Sequence, residues 1–145
     1  MNSAIERLLS LRVTDVMSRN IVSISSYDTM NHAAHKLQEH SISGAPVVDE
    51  GGEFAGVLTA VDFMKKQDST SEGIQEIGCR DGSLVCQYMT TDVQSITAQQ
   101  PLLIAARLMC HKHIHRLPVL DERGGIAGIV TALDIVAAVV NAIDQ

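Results

Sequence analysis

Apolar positions along the chain fall into a block pattern that occurs twice. Short β-branched runs at 21–24 and 93–96 predict strands. Each precedes a stripe at helical spacing: Met30, Ala33, Ala34 and Leu37 in the first half, and Leu102, Ala105, Ala106 and Met109 in the second. Asp28 reads as the cap of the first helix, and Pro101 falls in the first turn of the second, where a missing N–H costs nothing. Apolar runs at 45–48 and 117–120 predict buried strands. An acidic, glycine-containing turn follows each, then a further strand at 54–58 or 126–130, which together predict a hairpin with glycines supplying positive φ. A last helix starts at Thr59 or Thr131, and Ile5, Leu8 and Leu9 mark one face of a short helix over 3–9.

The two blocks are copies. A shift of about 72 residues aligns 13–64 with the second half without a gap, and about a third of the positions are identical. Met17 meets Met89, Pro46-Val47 meets Pro118-Val119, and Thr59-Ala60-Val61-Asp62 meets Thr131-Ala132-Leu133-Asp134. Each copy reads strand–helix–strand–strand–helix, too small to bury its own faces well, so the fold class is α+β with two β-α-β-β-α repeats packed together. The chain divides into an N-terminal helix at 1–12, a first repeat at 13–68, a linker at 69–83 rich in Ser, Gly, Asp and Glu, and a second repeat at 84–143. A turn of helix near 74–77 fits within the linker.

Composition narrows the function. With 145 residues, 46% hydrophobic, the chain can bury an ordinary core. A net charge of −6 with no Trp, 2 Tyr and 2 Phe argues against nucleic-acid binding, by groove or by base stacking. No run of about 20 apolar residues is present, so neither a secretory leader nor membrane insertion is expected. Cys79, Cys86 and Cys110 then read as reduced thiols in the cytoplasm, with a Cys79–Cys86 bridge as the alternative. No Ser-His-Asp order, Cys-His pair or P-loop occurs, and the acids recur as matched copies, so an enzyme with catalytic residues is not expected.

The motif with the most chemistry is Gly-h-h-Thr-x-x-Asp, at Gly56 to Asp62 and at Gly128 to Asp134. A strand ending at the threonine and a helix starting there turn first-turn N–H groups toward one anion-binding position. The Thr59 and Thr131 hydroxyls can add a bond to phosphate, and the Asp62 and Asp134 carboxylates can accept both hydroxyls of a ribose. The same Thr-x-x-Asp spacing is also a capping-box variant. Both roles can coexist.

These residues carry a resemblance. Val-Thr-Asp-Val-Met at Val13 to Met17, Ile-Ser-Gly-Ala-Pro-Val-Val-Asp and Gly-Val-Leu-Thr-Ala-Val-Asp resemble a CBS domain. The second copy supplies Val-Cys-Gln-Tyr-Met, His-Arg-Leu-Pro-Val-Leu-Asp and Gly-Ile-Val-Thr-Ala-Leu-Asp. The resemblance covers nearly the whole chain. It implies a stand-alone tandem CBS pair, a Bateman-type module, with its repeats about a pseudo-twofold axis and a cleft on each side. Such pairs bind adenosine-containing ligands (AMP, ADP, ATP, S-adenosylmethionine or NAD) and regulate an enzyme or a transporter, here in trans.

By the same resemblance, residues just before the Pro-Val strand line the cleft. Arg116, with its fork of donors, suits a phosphate, and His115 adds a pH-sensitive contact. Their first-repeat counterparts, Ser43 and Gly44, carry no charge, so the clefts are expected to differ. A surface ion pair is the other reading of Arg116. Ile21, Val22, Ile42, Ser43 and Ile114 are implied to hold adenine, or else serve as plain core. The family pattern pairs Asp134 with Ile42 and Ser43, and Asp62 with Ile114. Cys110, His111, His113 and His115 are crowded, but alternation puts only His113 and His115 on one strand face while Cys110 and His111 end a helix, so no metal is expected.

The rival to a ligand sensor is a dimerisation module with vestigial clefts. The closing helix is apolar on several faces over 135–143, and Phe63 and Met64 occupy the matching place in the first repeat. That surface predicts a homodimer with Val139 or Val140 near the interface and the N-terminal helix covering the rest. Alternatively the helix packs within its own monomer against Leu8 and Leu9.

Overall fold

The computed structural model describes residues 3–69 and 82–145. The helical turn foreseen at 74–77 and Cys79, with its alternative bridge, lie outside the described residues. The architecture is α+β: six helices and two three-stranded sheets among the described residues. In chain order the elements are α1 (Ser3–Ser10), α2 (Val13–Val16), β1 (Ile24–Ser25), α3 (Met30–Glu39), β2 (Gly44–Val48), β3 (Phe54–Thr59) and α4 (Ala60–Ser69). A 3-10 turn (Val85–Gln87) follows, then β4 (Ile96–Thr97), α5 (Leu102–Lys112), β5 (Arg116–Leu120), β6 (Ile126–Thr131) and α6 (Ala132–Asp144).

Contacts divide the chain into two compact units, one of Met1–Ile21 with Gln94–Gln145 and one of Val22–Val93. The two sheets have the same form: β1 runs parallel to β2, which runs antiparallel to β3, and β4, β5 and β6 repeat the arrangement. In each hairpin an aspartate builds the turn. Asp49 Oδ1 accepts from the N–H groups of Gly51 and Glu53, Asp121 Oδ1 from those of Arg123 and Gly125, and Gly52 and Gly124 take φ of 82° and 84°.

Each unit has its own core. Ile24, Met30, Ala33, Leu37, Val47 and Leu58 bury together in one, and Ile96, Leu102, Ala105, Met109, Val119 and Val130 in the other. The helical stripes therefore face inward as their spacing predicts. Each core also takes residues from the opposite repeat: Val85 seals the core of the Val22–Val93 unit, and Val13 and Met17 seal the other.

Several local expectations change. The strands at 21–24 and 93–96 shrink to Ile24–Ser25 and Ile96–Thr97, because only these residues find ladder partners, Val47-Val48 and Val119-Leu120. Thr29, not Asp28, caps α3 by accepting from the His32 N–H at 3.0 Å, and Asp28 instead lies 3.1 Å from the His32 ring. Pro101 is the N-cap of α5 rather than part of its first turn. His113 does not share a strand face with His115: it ends α5 in the left-handed region at φ 55°, as Ser41 does after α3 at 54°. In α1, Leu8 packs on the core while Ile5 and Leu9 stay exposed, and the Arg7 guanidinium bonds the Ala142 carbonyl, docking α1 on α6.

Candidate functional site

In each unit the first residue of the middle strand faces the last residue of the hairpin's second strand, where the closing helix begins. Gly44 pairs with Thr59, and Arg116 with Thr131. The residue just before each middle strand holds the helix start: the Ser43 carbonyl accepts from Ala60 N–H at 3.1 Å, and the His115 carbonyl from Ala132 N–H at 2.8 Å. The strand entry, the threonine and the helix start thus form one corner per unit, fixed by backbone.

At the second-repeat corner, Thr131 and Asp134 form a complete capping box. Thr131 N–H donates to Asp134 Oδ2 at 2.9 Å and Asp134 N–H to the Thr131 hydroxyl at 3.1 Å. Asp134 is half-buried, and its Oδ1 accepts from no described residue. Arg116 and His115 are exposed, and among the described residues Arg116 pairs with no carboxylate. Directly opposite pairs in an antiparallel ladder project to one side, so the guanidinium stem and the Thr131 side chain share a face. Ile114 is half-buried against the core of its own unit, and Ile21, in the same unit, is half-buried as well.

At the first-repeat corner the Asp62 carboxylate is sealed. Its Oδ2 accepts from Thr59 N–H at 2.8 Å, with the Thr59 hydroxyl at 3.4 Å, and its Oδ1 accepts from the Thr90 hydroxyl at 2.9 Å. Lys65 Nζ stands 3.7 Å from Oδ1. A Cβ on Gly44 would lie 3.1 Å from the Leu58 carbonyl oxygen and from the Thr59 side chain, so the strand entry is tight where the second repeat carries Arg116. Ile42 and Ser43 line a hollow of about 410 Å³ with Ala34, His35, Ala60 and Phe63. Val22 is half-buried in the same unit.

Around the helix starts, the N–H groups of Thr59, Ala60, Thr131, Ala132 and Asp134 donate within the protein, to Asp62, Ser43, Asp134, His115 and Thr131 respectively. Capping bonds of the Thr-x-x-Asp motif therefore form at both corners. The motif glycine has a packing reason of its own. A Cβ on Gly56 would meet the Thr90 carbonyl oxygen at 2.5 Å, and one on Gly128 would meet the Ser18 carbonyl oxygen at 2.5 Å. Both glycines let another segment of backbone cross the sheet edge. Thr90 was absent from the sequence-derived site. Its signal was present in the repeat, since it aligns with Ser18 and both carry a hydroxyl.

Among the described residues no three His, Cys, Asp or Glu side chains gather to hold a metal ion, and no helix is long and apolar enough to cross a membrane. Cys86 and Cys110 are free and exposed.

The family model for the CBS domain matches residues 13–69 and 85–141. The uncharacterized protein MK0525 of Methanopyrus kandleri is 32% identical over 126 residues, covering 87% of this chain and 61% of that protein. The chain therefore spans less than two thirds of that relative, and 22 to 23% of the length of two enzymes among the other relatives. Of solved structures, CBSX2 in complex with AMP matches with a TM-score of 0.73 at 26% identity, over 94% of this chain and 100% of that one. The CBS domain pair of MJ0100, in complex with 5'-methylthioadenosine and S-adenosyl-L-methionine, matches with a TM-score of 0.68 at 25% identity, over 93% and 98%.

Proposed function

The chain belongs to the CBS domain family, and we propose that it is a regulatory module that binds an adenosine-containing ligand and signals to a partner protein, an enzyme or a transporter. The observation that carries the reading is the Thr131–Asp134 corner. There a carboxylate oxygen that accepts from no described residue stands beside a threonine whose ladder partner, Arg116, has no counter-ion among the described residues. A ribose hydroxyl suits the first group and a phosphate the second. AMP, 5'-methylthioadenosine and S-adenosylmethionine in structural relatives support that ligand class, with ADP, ATP and NAD as its further members. For the base, Ile21 and Ile114 would supply apolar surface in the unit of the Thr131–Asp134 corner, and Val22, Ile42 and Ser43 in the other unit.

A thermal-shift panel of AMP, ADP, ATP, S-adenosylmethionine and NAD tests the reading. A ligand present at 100 times its Kd stabilises by about 2.7 kcal/mol, a shift of several degrees for a chain of this size. No shift with any of the five would turn the assignment to the second reading, an interaction module. That reading is favoured by α6, where Leu133 is 75% exposed and Ile143 66%, with Val136, Val139 and Val140 also exposed. The two readings are compatible in a homodimer built on Val139 and Val140.

A further inference from the structure

We propose that Thr90 is a built-in occupant of the Thr59–Asp62 corner: its hydroxyl closes the carboxylate that a ribose would need, leaving the Thr131–Asp134 corner as the open one. The latch rests on geometry alone. Its consequence, one ligand per chain, rests on the nucleotide reading above.

A ribose diol offers two donors and needs carboxylate lone pairs to receive them. At Asp62 both oxygens already accept hydrogen bonds, and the side chain is 1% exposed. At Asp134 only Oδ2 is engaged. A ligand at Asp62 exchanges the Thr90 bond for its own, whereas at Asp134 it adds one. Since a hydrogen bond to a charged group contributes about 1.5–3 kcal/mol, the difference amounts to about ten- to a hundredfold in affinity.

The backbone does not cause the difference. Val57 and Thr90 exchange N–H···O bonds of 2.9 Å in both directions, and Ile129 and Ser18 exchange bonds of 2.8 and 3.0 Å. Each crossing segment therefore sits on its sheet edge in the same register. What differs is the side chain. Thr90 is half-buried and β-branched, with few χ1 choices, and its hydroxyl lies on the carboxylate. Ser18 is exposed and unbranched, and its hydroxyl bonds no described residue. Lys65 reinforces the closed corner from 3.7 Å, and the matching position in the second repeat is Ala137.

The test combines melting with AMP calorimetry on the full chain. Thr90→Val keeps the side-chain shape and strands Asp62 Oδ1, so it should lower the melting temperature by about 3–10 °C, against less than about 2 °C for Ser18→Ala. AMP should bind once per wild-type chain. Asp134→Ala should weaken that binding at least about tenfold. Thr90→Val should raise the stoichiometry to two, and Thr90→Val with Asp134→Ala should restore it to one. If valine itself obstructs the corner, Thr90→Ala opens it with the same expected stoichiometry. Two equal AMP sites in the wild type, or equal small melting shifts for Thr90→Val and Ser18→Ala, would overturn the latch. A wild type that binds no AMP, with melting shifts as expected, leaves the latch standing and removes AMP from the nucleotide reading.

Discussion

The segments around Met17-Ser18 and Met89-Thr90 do the same mechanical job with different chemical results. Each crosses a sheet edge over a glycine, Gly128 or Gly56, that leaves no room for a Cβ. Each makes one reciprocal pair of backbone bonds, and each sends a methionine to the same glycine, with Met17 Sδ 2.9 Å from the position of a Cβ on Gly128 and Met89 Sδ 3.4 Å from that on Gly56. Yet only Thr90 reaches a carboxylate. After duplication, backbone geometry resists change because any residue with a Cβ at the crossing displaces a carbonyl. The side chain one position along the crossing has no such constraint. It can drift from a bond-maker to a bystander without moving the fold.

The two corners should differ most at their aspartates. Asp62→Ala removes a buried acceptor from two donors and should cost about 3 kcal/mol, whereas Asp134→Ala loses a cap bond and should cost about 1 kcal/mol. Urea denaturation measures both, and equal losses would mean that the corners are energetically alike. Next come the glycines, where the repeats should behave as equals. Gly56→Ala and Gly128→Ala each force a Cβ to within 2.5 Å of a backbone oxygen and should each destabilise by about 2 kcal/mol, within the range of overpacked sites. A loss at one position only would show that one crossing is dispensable.

Arg116 sharpens the chemical side. Arg116→Ala should weaken ATP binding about tenfold, leave adenosine within about threefold, and flatten the salt dependence of ATP binding. Parallel calorimetry with the two ligands separates these outcomes, and equal losses would take the phosphate away from Arg116. The smallest effect is expected from a transplant. Ser18→Thr gives the second-repeat corner the side chain of the first and should add about 0.5–1 kcal/mol of stability while weakening AMP. A stability gain without any loss of affinity would place the ligand away from Asp134.

Much of the fold was legible from residue order because it depends on local periods. The stripes from Met30 to Leu37 and from Leu102 to Met109 bury as their helical spacing requires, and the hairpin turns form where an aspartate and a glycine fall together. Duplication was legible for the same reason: two copies of one pattern align without a gap. The Thr-x-x-Asp corners were also marked in advance, with capping and ligand roles both open.

What residue order could not decide was who meets those corners. Residues 21–24 and 93–96 have strand composition throughout, but a strand is defined by its ladder partner, and only Ile24–Ser25 and Ile96–Thr97 have one. Thr90 lies 28 positions from Asp62, so no local spacing links hydroxyl to carboxylate. The glycine of the motif makes room for a crossing segment of backbone that no local spacing identifies. Periodicity by itself determined the repeats, their stripes and the candidate corners, because each depends on neighbours three or four residues away. Only the tertiary structure decided which carboxylate is closed and which is open, because that depends on a chain crossing whose contacts are set by packing.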